Sequence, residues 1–67
     1  MEMKVVVGET AGKIFQALTS GGPQTVSQLK KKVDGSSELV TFALGWLARE
    51  DKIDMVQEKK NIHVQLK

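Results

Sequence analysis

The sequence predicts an α+β domain in which three short helices precede a C-terminal β-hairpin. Apolar residues recur at helical spacing in three segments, and the period changes to two from Ile53 onward. Two glycine-containing breaks, Gly21-Gly22-Pro23 and Asp34-Gly35-Ser36, separate the three helical segments. With 67 residues and no linker or internal repeat, we expect one domain covering residues 1–67.

The first predicted helix begins near Glu9 and ends at Gly21-Gly22-Pro23. Its apolar residues follow the spacing i, i+3, i+4, i+7 and form one stripe that faces a core: Ala11, Ile14, Phe15 and Leu18. Before it, the β-branched run Lys4–Val7 predicts a short N-terminal strand, which Gly8 ends.

The second predicted helix follows a capping box, in which Thr25 is the hydroxyl cap and Gln28 stands three residues later. Val26, Leu29 and Val33 point inward, and three lysines fill the last turn, where they favour the helix dipole. A tight turn containing Gly35 then leads to a third helix, capped by Ser36 or Ser37.

The third predicted helix covers about residues 37–50 and carries two apolar stripes. Val40, Ala43, Leu44 and Leu47 form the first stripe, and Leu39, Phe42 and Trp46 form the second. Together the two stripes cover more than half of the helix circumference, which is too much for a helix with one buried face. The remaining arc is the exposed one: Ser37, Glu38, Thr41, Gly45, Ala48 and Arg49.

The last part of the chain predicts a hairpin of two strands, Ile53–Gln57 and Ile62–Leu66, joined by the four-residue polar turn Glu58–Asn61. In the second strand, alternation places Ile62, Val64 and Leu66 on one face and His63 on the other.

This order of elements is that of a winged helix-turn-helix domain, with the hairpin as the wing. The segments Val7–Phe15 (VGETAGKIF) and Ala43–Ile53 (ALGWLAREDKI) resemble a family of small prokaryotic winged helix-turn-helix proteins described as a domain of unknown function. The resemblance covers nearly the whole chain. It implies the fold, and by analogy of fold it implies a connection with nucleic acid.

Composition argues against an enzyme. The chain has no cysteine and one histidine, His63, which excludes disulfides, Cys-ligated zinc and cysteine nucleophiles. The acidic residues have no metal-ligand spacing, and no glycine-rich phosphate loop is present. We therefore expect no catalytic residue, metal, cofactor or small-molecule substrate.

We also expect a cytoplasmic protein with no membrane segment or signal peptide. The longest stretch without charged or strongly polar side chains, Phe42–Ala48, is far shorter than the about 20 residues of a membrane span.

The leading functional hypothesis is a module that binds duplex DNA weakly, mostly through phosphates, in a role associated with transcription. The net charge is only +2, but basic residues cluster at the end of the second helix and at the wing tip. In a helix-turn-helix, the exposed arc of the second motif helix faces the major groove. The candidate nucleic-acid-binding residues are Lys30, Lys31, Lys32, Ser37, Thr41, Arg49, Lys59 and Lys60.

The stripe of Leu39, Phe42 and Trp46 leaves three interpretations open. In the first interpretation, the segment Lys4–Val7 or the wing covers the aromatic side chains, which become part of the core. Alternatively, the stripe is a protein interface or a homodimer contact, because Trp and Phe are enriched at interfaces. In the third interpretation, the two rings stack on unpaired bases. We expect one of these rings to pack against Gly12, since a glycine inside a helix has no side chain and allows a close contact.

Overall fold

The computed structural model describes residues 2–67, so Met1 of the predicted domain lies outside the described residues. Along these described residues, three helices and three strands follow one another: α1 (Met3–Gly21), β1 (Gln24–Thr25), α2 (Val26–Lys32), α3 (Ser37–Arg49), β2 (Ile53–Glu58) and β3 (Asn61–Leu66). The strands form an antiparallel sheet in the order β1-β3-β2. The predicted order of three helices and a C-terminal hairpin is confirmed. None of the helices described in residues 2–67 is long and apolar enough to cross a membrane.

The predicted N-terminal strand over Lys4–Val7 is wrong, because these residues form the first turns of α1. Val7 continues the helical stripe of Ala11, Ile14 and Leu18, and it packs against the core. The burial gained by this packing outweighs the β-propensity of the valine run. Gly8 therefore lies inside a helix and ends no element.

The caps explain where α2 and α3 begin. The Thr25 hydroxyl accepts a hydrogen bond from the Gln28 N–H at 3.2 Å, and the Gln28 side chain accepts one from the Thr25 N–H at 2.9 Å. The predicted capping box is therefore confirmed. Of the two candidate caps for α3, Ser36 is the one used, since its hydroxyl accepts from the Leu39 N–H at 3.1 Å. Gly35, with φ 125°, provides the backbone conformation that the turn between α2 and α3 requires.

The hairpin formed by β2 and β3, here called the wing, is longer than predicted. Glu58 pairs with Asn61, so the connecting turn consists only of Lys59 and Lys60. β1, which the sequence did not predict, pairs with β3 through Gln24 and Thr25. A two-residue strand has no alternation for a sequence pattern to detect.

The core lies between the helices and the inner face of the sheet. The largest fully buried side chains come from all three helices and from β3: Ile14 of α1, Leu29 of α2, Val40 of α3 and Val64 of β3. Val64 belongs to the central strand, and together with Ile53 and Leu66 it joins the sheet to the helical layer.

The end of the chain is held against the end of α3. The Lys52 N–H donates to the Leu47 carbonyl and the Asp51 N–H donates to the Ala48 carbonyl, both at 3.0 Å, which is the Schellman pattern of a helix C-terminus. The Lys67 ammonium donates to the Asp51 carboxylate, and this hydrogen bond and charge raise the pKa of Lys67. The Lys67 N–H also bonds the Lys52 carbonyl at 3.1 Å.

Candidate nucleic-acid interface

A groove of about 380 Å³ runs between α3 and the wing. Its lining comes from three elements: Val26 and Lys30 of α2, Thr41, Leu44 and Gly45 of α3, and Met55 and Ile62 of the wing. In a helix-turn-helix, this is the side on which the second motif helix meets DNA. We call it the α3–wing groove.

The register of the wing explains why the groove has an apolar wall. Met55 pairs with Val64 and Gln57 pairs with Ile62, so these side chains share the inner face of the sheet. Val64 is fully buried, whereas Met55 and Ile62 extend past the core and remain 42% and 38% exposed. Met55 is a groove residue that was not predicted from the sequence. Its alternation with Ile53 and Gln57 was the signal that could have identified it.

Most of the α3 arc predicted to be exposed is exposed. Ser37, Glu38, Thr41, Gly45 and Arg49 are accessible, but Ala48 is half-buried against the core.

The hydroxyl of Thr41, one of the candidate nucleic-acid-binding residues, is used within α3. Its hydroxyl donates to the Ser37 carbonyl at 3.0 Å, within the helix itself. The donor of this side chain is therefore already used, and its methyl group remains for contacts in the groove.

Ser37 and Arg49 lie at opposite ends of α3. They are roughly 18 Å apart along the helix axis, given the rise of an α-helix.

The three lysines at the end of α2 do not share one direction, because consecutive helical residues are rotated by about 100°. Lys30 is half-buried and lines the α3–wing groove. The Lys32 ammonium instead lies beside Gly21 at the end of α1. Lys31 is exposed. The structure thus brings one lysine of this cluster into the groove and sends another away from it.

Lys59 and Lys60 are both exposed at the tip of the wing. Lys59 has a φ of 56°, which the two-residue turn imposes. His63 lies on the outer face of the wing, away from the groove, with its Nε2 atom 3.6 Å from Glu58.

The predicted stripe of Leu39, Phe42 and Trp46 is divided between two environments. Leu39 is half-buried in a recess beside Thr10 and Gly35, between α1 and the turn before α3. Phe42 is 52% exposed and Trp46 is 38% exposed, so neither the N-terminal segment nor the wing covers them. The interpretation of these rings as extra core is therefore wrong.

A second groove of about 380 Å³ runs beside Trp46 over α1, and it includes Gly8, Gly12 and Phe15. A Cβ atom added to Gly12 would meet no atom within 4 Å, and the same is true of Gly45 in α3. Trp46 borders the groove over Gly12 without packing closely onto that residue. The expectation of a close neighbour at Gly12 is therefore wrong. We call Phe15, Phe42 and Trp46, with this groove, the aromatic surface.

Comparison with known proteins places these features in one family. The family model described as a winged helix-turn-helix domain (DUF2582) matches residues 1–66. An uncharacterized protein of Methanocaldococcus jannaschii is 45% identical over 64 residues, which cover 91% of this chain and 90% of that protein. The solution NMR structure of a protein from Bacteroides thetaiotaomicron superposes with a TM-score of 0.82 at 35% identity, covering 94% of this chain and 77% of that one.

Proposed function

We propose that this chain, which belongs to the DUF2582 family of winged helix-turn-helix domains, is a non-enzymatic module that binds duplex DNA weakly and mainly through phosphates. The observation that carries the proposal is the α3–wing groove, because Lys30 lines it and the wing with Lys59 and Lys60 at its tip forms one wall. A surface with cations on the helix side and at the wing tip suits the phosphates that flank a duplex groove.

The side chains on α3 support weak and sequence-tolerant binding. Strong base recognition uses Arg or Lys toward guanine and Asn or Gln toward adenine. The exposed arc of α3 has none of these except Arg49, at the far end of the helix. Glu38, in the first turn, would repel phosphates. Affinity would therefore come from charge and would fall steeply with salt.

The number of cations sets the expected salt dependence. Lys30, Lys31, Arg49, Lys59 and Lys60 are the candidates that can reach phosphates, while Lys32 lies beside α1. Five phosphate contacts give a slope of log K against log salt of about −4 to −5.

The test is a fluorescence-anisotropy titration of a mixed-sequence duplex over a range of salt concentrations. The double variant Lys59→Ala, Lys60→Ala should weaken binding similarly for unrelated sequences and reduce the slope by about two. The matched control is Lys4→Ala, Lys13→Ala, which removes the same charge from α1. An equal loss in both variants would show that only net charge matters, and binding that neither variant changes would contradict the role of the wing.

Self-association through the aromatic surface is the second candidate function. The observation that favours it is the exposure of Phe42 and Trp46, two of the three aromatic residues in the chain. Contiguous exposed apolar surface of this kind is typical of protein interfaces. The partner is a second copy of the chain, because projecting rings and an open groove over Gly12 lie side by side, as a two-fold interface requires.

Sedimentation velocity over a range of protein concentrations tests this candidate. Trp46→Ala and Phe42→Ala should each lower the oligomeric mass and leave the far-UV circular dichroism spectrum unchanged, because both side chains are exposed. Val56→Ala is the matched control, since Val56 is also 52% exposed but lies on the outer face of the wing. A wild-type protein that stays monomeric at the highest concentration would exclude self-association.

A further inference from the structure

We propose that the α3–wing groove recognises the C5-methyl groups of thymine, so that the domain prefers duplexes rich in A·T pairs. This inference rests on the proposed DNA binding and adds a base preference to it. It follows from the side chains that line the groove. Their polar groups are bonded within the protein or suit a phosphate, so the surface left for contact with base edges is apolar.

The groove presents few hydrogen-bond donors to a base. The Thr41 hydroxyl donates to the Ser37 carbonyl, and Gly45 has no side chain. Lys30 is the charged residue of the lining, and its half-buried position at the groove suits a phosphate. Bidentate contacts to guanine or adenine are thus not available along the centre of α3.

The groove does present apolar surface. Met55 and Ile62 are 42% and 38% exposed, and Thr41, which carries a methyl group, belongs to the same lining. Among the groups on base edges in the major groove, the thymine methyl is the apolar one. An apolar wall beside a phosphate-binding lysine therefore favours thymine over the other bases.

The effect can be isolated by comparing two duplexes in which every thymine of one is replaced by deoxyuridine in the other. The two duplexes then differ only in the C5-methyl groups. We expect the thymine duplex to bind more tightly, by about fourfold for each methyl group buried. The salt slope should be the same for both duplexes, since their phosphates are identical.

Variants assign the effect to the groove. Met55→Gln should bring the ratio of thymine to deoxyuridine affinity close to one and leave the salt slope unchanged. Val56→Gln is the matched control, because Val56 is adjacent in sequence but lies on the outer face of the wing. Ile62→Thr provides a second groove variant, and circular dichroism verifies that each variant is folded.

The outcomes separate this inference from the function on which it rests. Equal affinity for the two duplexes, with a normal salt slope, would overturn thymine recognition and leave DNA binding intact. A ratio that survives both groove variants would overturn the assignment to the groove. Amide NMR shifts at Lys59–Asn61 without shifts at Met55 and Ile62 would also overturn it. The DNA would then contact the tip of the wing and not the apolar wall of the α3–wing groove. No binding of either duplex at low salt would contradict the proposed function itself.

Discussion

Asp51 and Lys59 are non-glycine residues with a positive φ, at 61° and 56°. Asp51 occupies the position after the C-cap of α3, where glycine or asparagine is common, and its carboxylate is held by Lys67. Lys59 is a residue of the two-residue turn of the wing, where glycine is usual. A lysine at this position has a strained backbone, and its side chain places a positive charge at the tip of the wing.

Lys59→Gly should therefore stabilise the protein. Glycine adopts a positive φ without the steric cost of a Cβ atom, which is about 1 kcal/mol or more. We expect the free energy of unfolding to rise by about 0.5–1 kcal/mol, measured by urea denaturation.

Lys60→Gly is the control for this prediction, because it removes the same charge from the neighbouring residue, which has no positive φ. This variant should gain no stability. Equal changes in the two variants would attribute the effect to charge and contradict a backbone origin. If Lys59 also contacts phosphate, the more stable Lys59→Gly protein should bind DNA less tightly.

At the scale of the element, the predicted boundaries were accurate where local chemistry decides them. The capping box of Thr25 and Gln28 defines the start of α2, and the change of period at Ile53 defines the start of the wing. These signals need only neighbours in sequence. The N-terminal turns of α1 could not be predicted in this way, because Val7 becomes helical through its contact with a core built from distant residues.

The candidate site was predictable to a smaller extent. The sequence identified the lysines and the exposed arc of α3, but not their directions. Lys30 and Lys32 are two residues apart, and yet one lines the α3–wing groove and the other lies beside Gly21. The exposure of Trp46 depends on how far α1 extends and where it crosses α3, which a helical wheel does not contain. The apolar wall of the groove depends likewise on the register of β2 against β3.

Gly12 and Gly45 provide a prediction for the helices. Each lies inside a helix, is exposed, and has space for a Cβ atom. Gly12→Ala and Gly45→Ala should each raise the free energy of unfolding by about 0.5–1 kcal/mol, because alanine loses less backbone entropy. Gly35→Ala is the contrasting variant: its φ of 125° is strained for any L side chain, so it should destabilise. Destabilisation by Gly12→Ala or Gly45→Ala would show that these helix faces are covered in solution.

At the scale of the whole molecule, the helices and the sheet depend on one core. Leu29 and Val64 are fully buried, and β3 connects β1 with β2. Since residues 2–67 form one apolar core that both layers share, the helix-turn-helix and the wing should unfold together. The relative position of α3 and the wing, on which the α3–wing groove depends, is therefore as stable as the core itself.

Leu29→Ala tests this dependence, since Leu29 has no exposed surface and lies on the shortest helix. Removal of a buried leucine side chain costs about 2–5 kcal/mol. A chain of this length has a total stability of about 3–10 kcal/mol, so the variant should lose a large fraction of it.

Urea denaturation followed by Trp46 fluorescence and by circular dichroism should give coincident transitions at a lower midpoint. Val56→Ala, at a side chain 52% exposed, should shift the midpoint little. Transitions that separate in the Leu29→Ala variant would mean that α3 and the wing unfold independently, and the groove between them could then be lost while both elements persist.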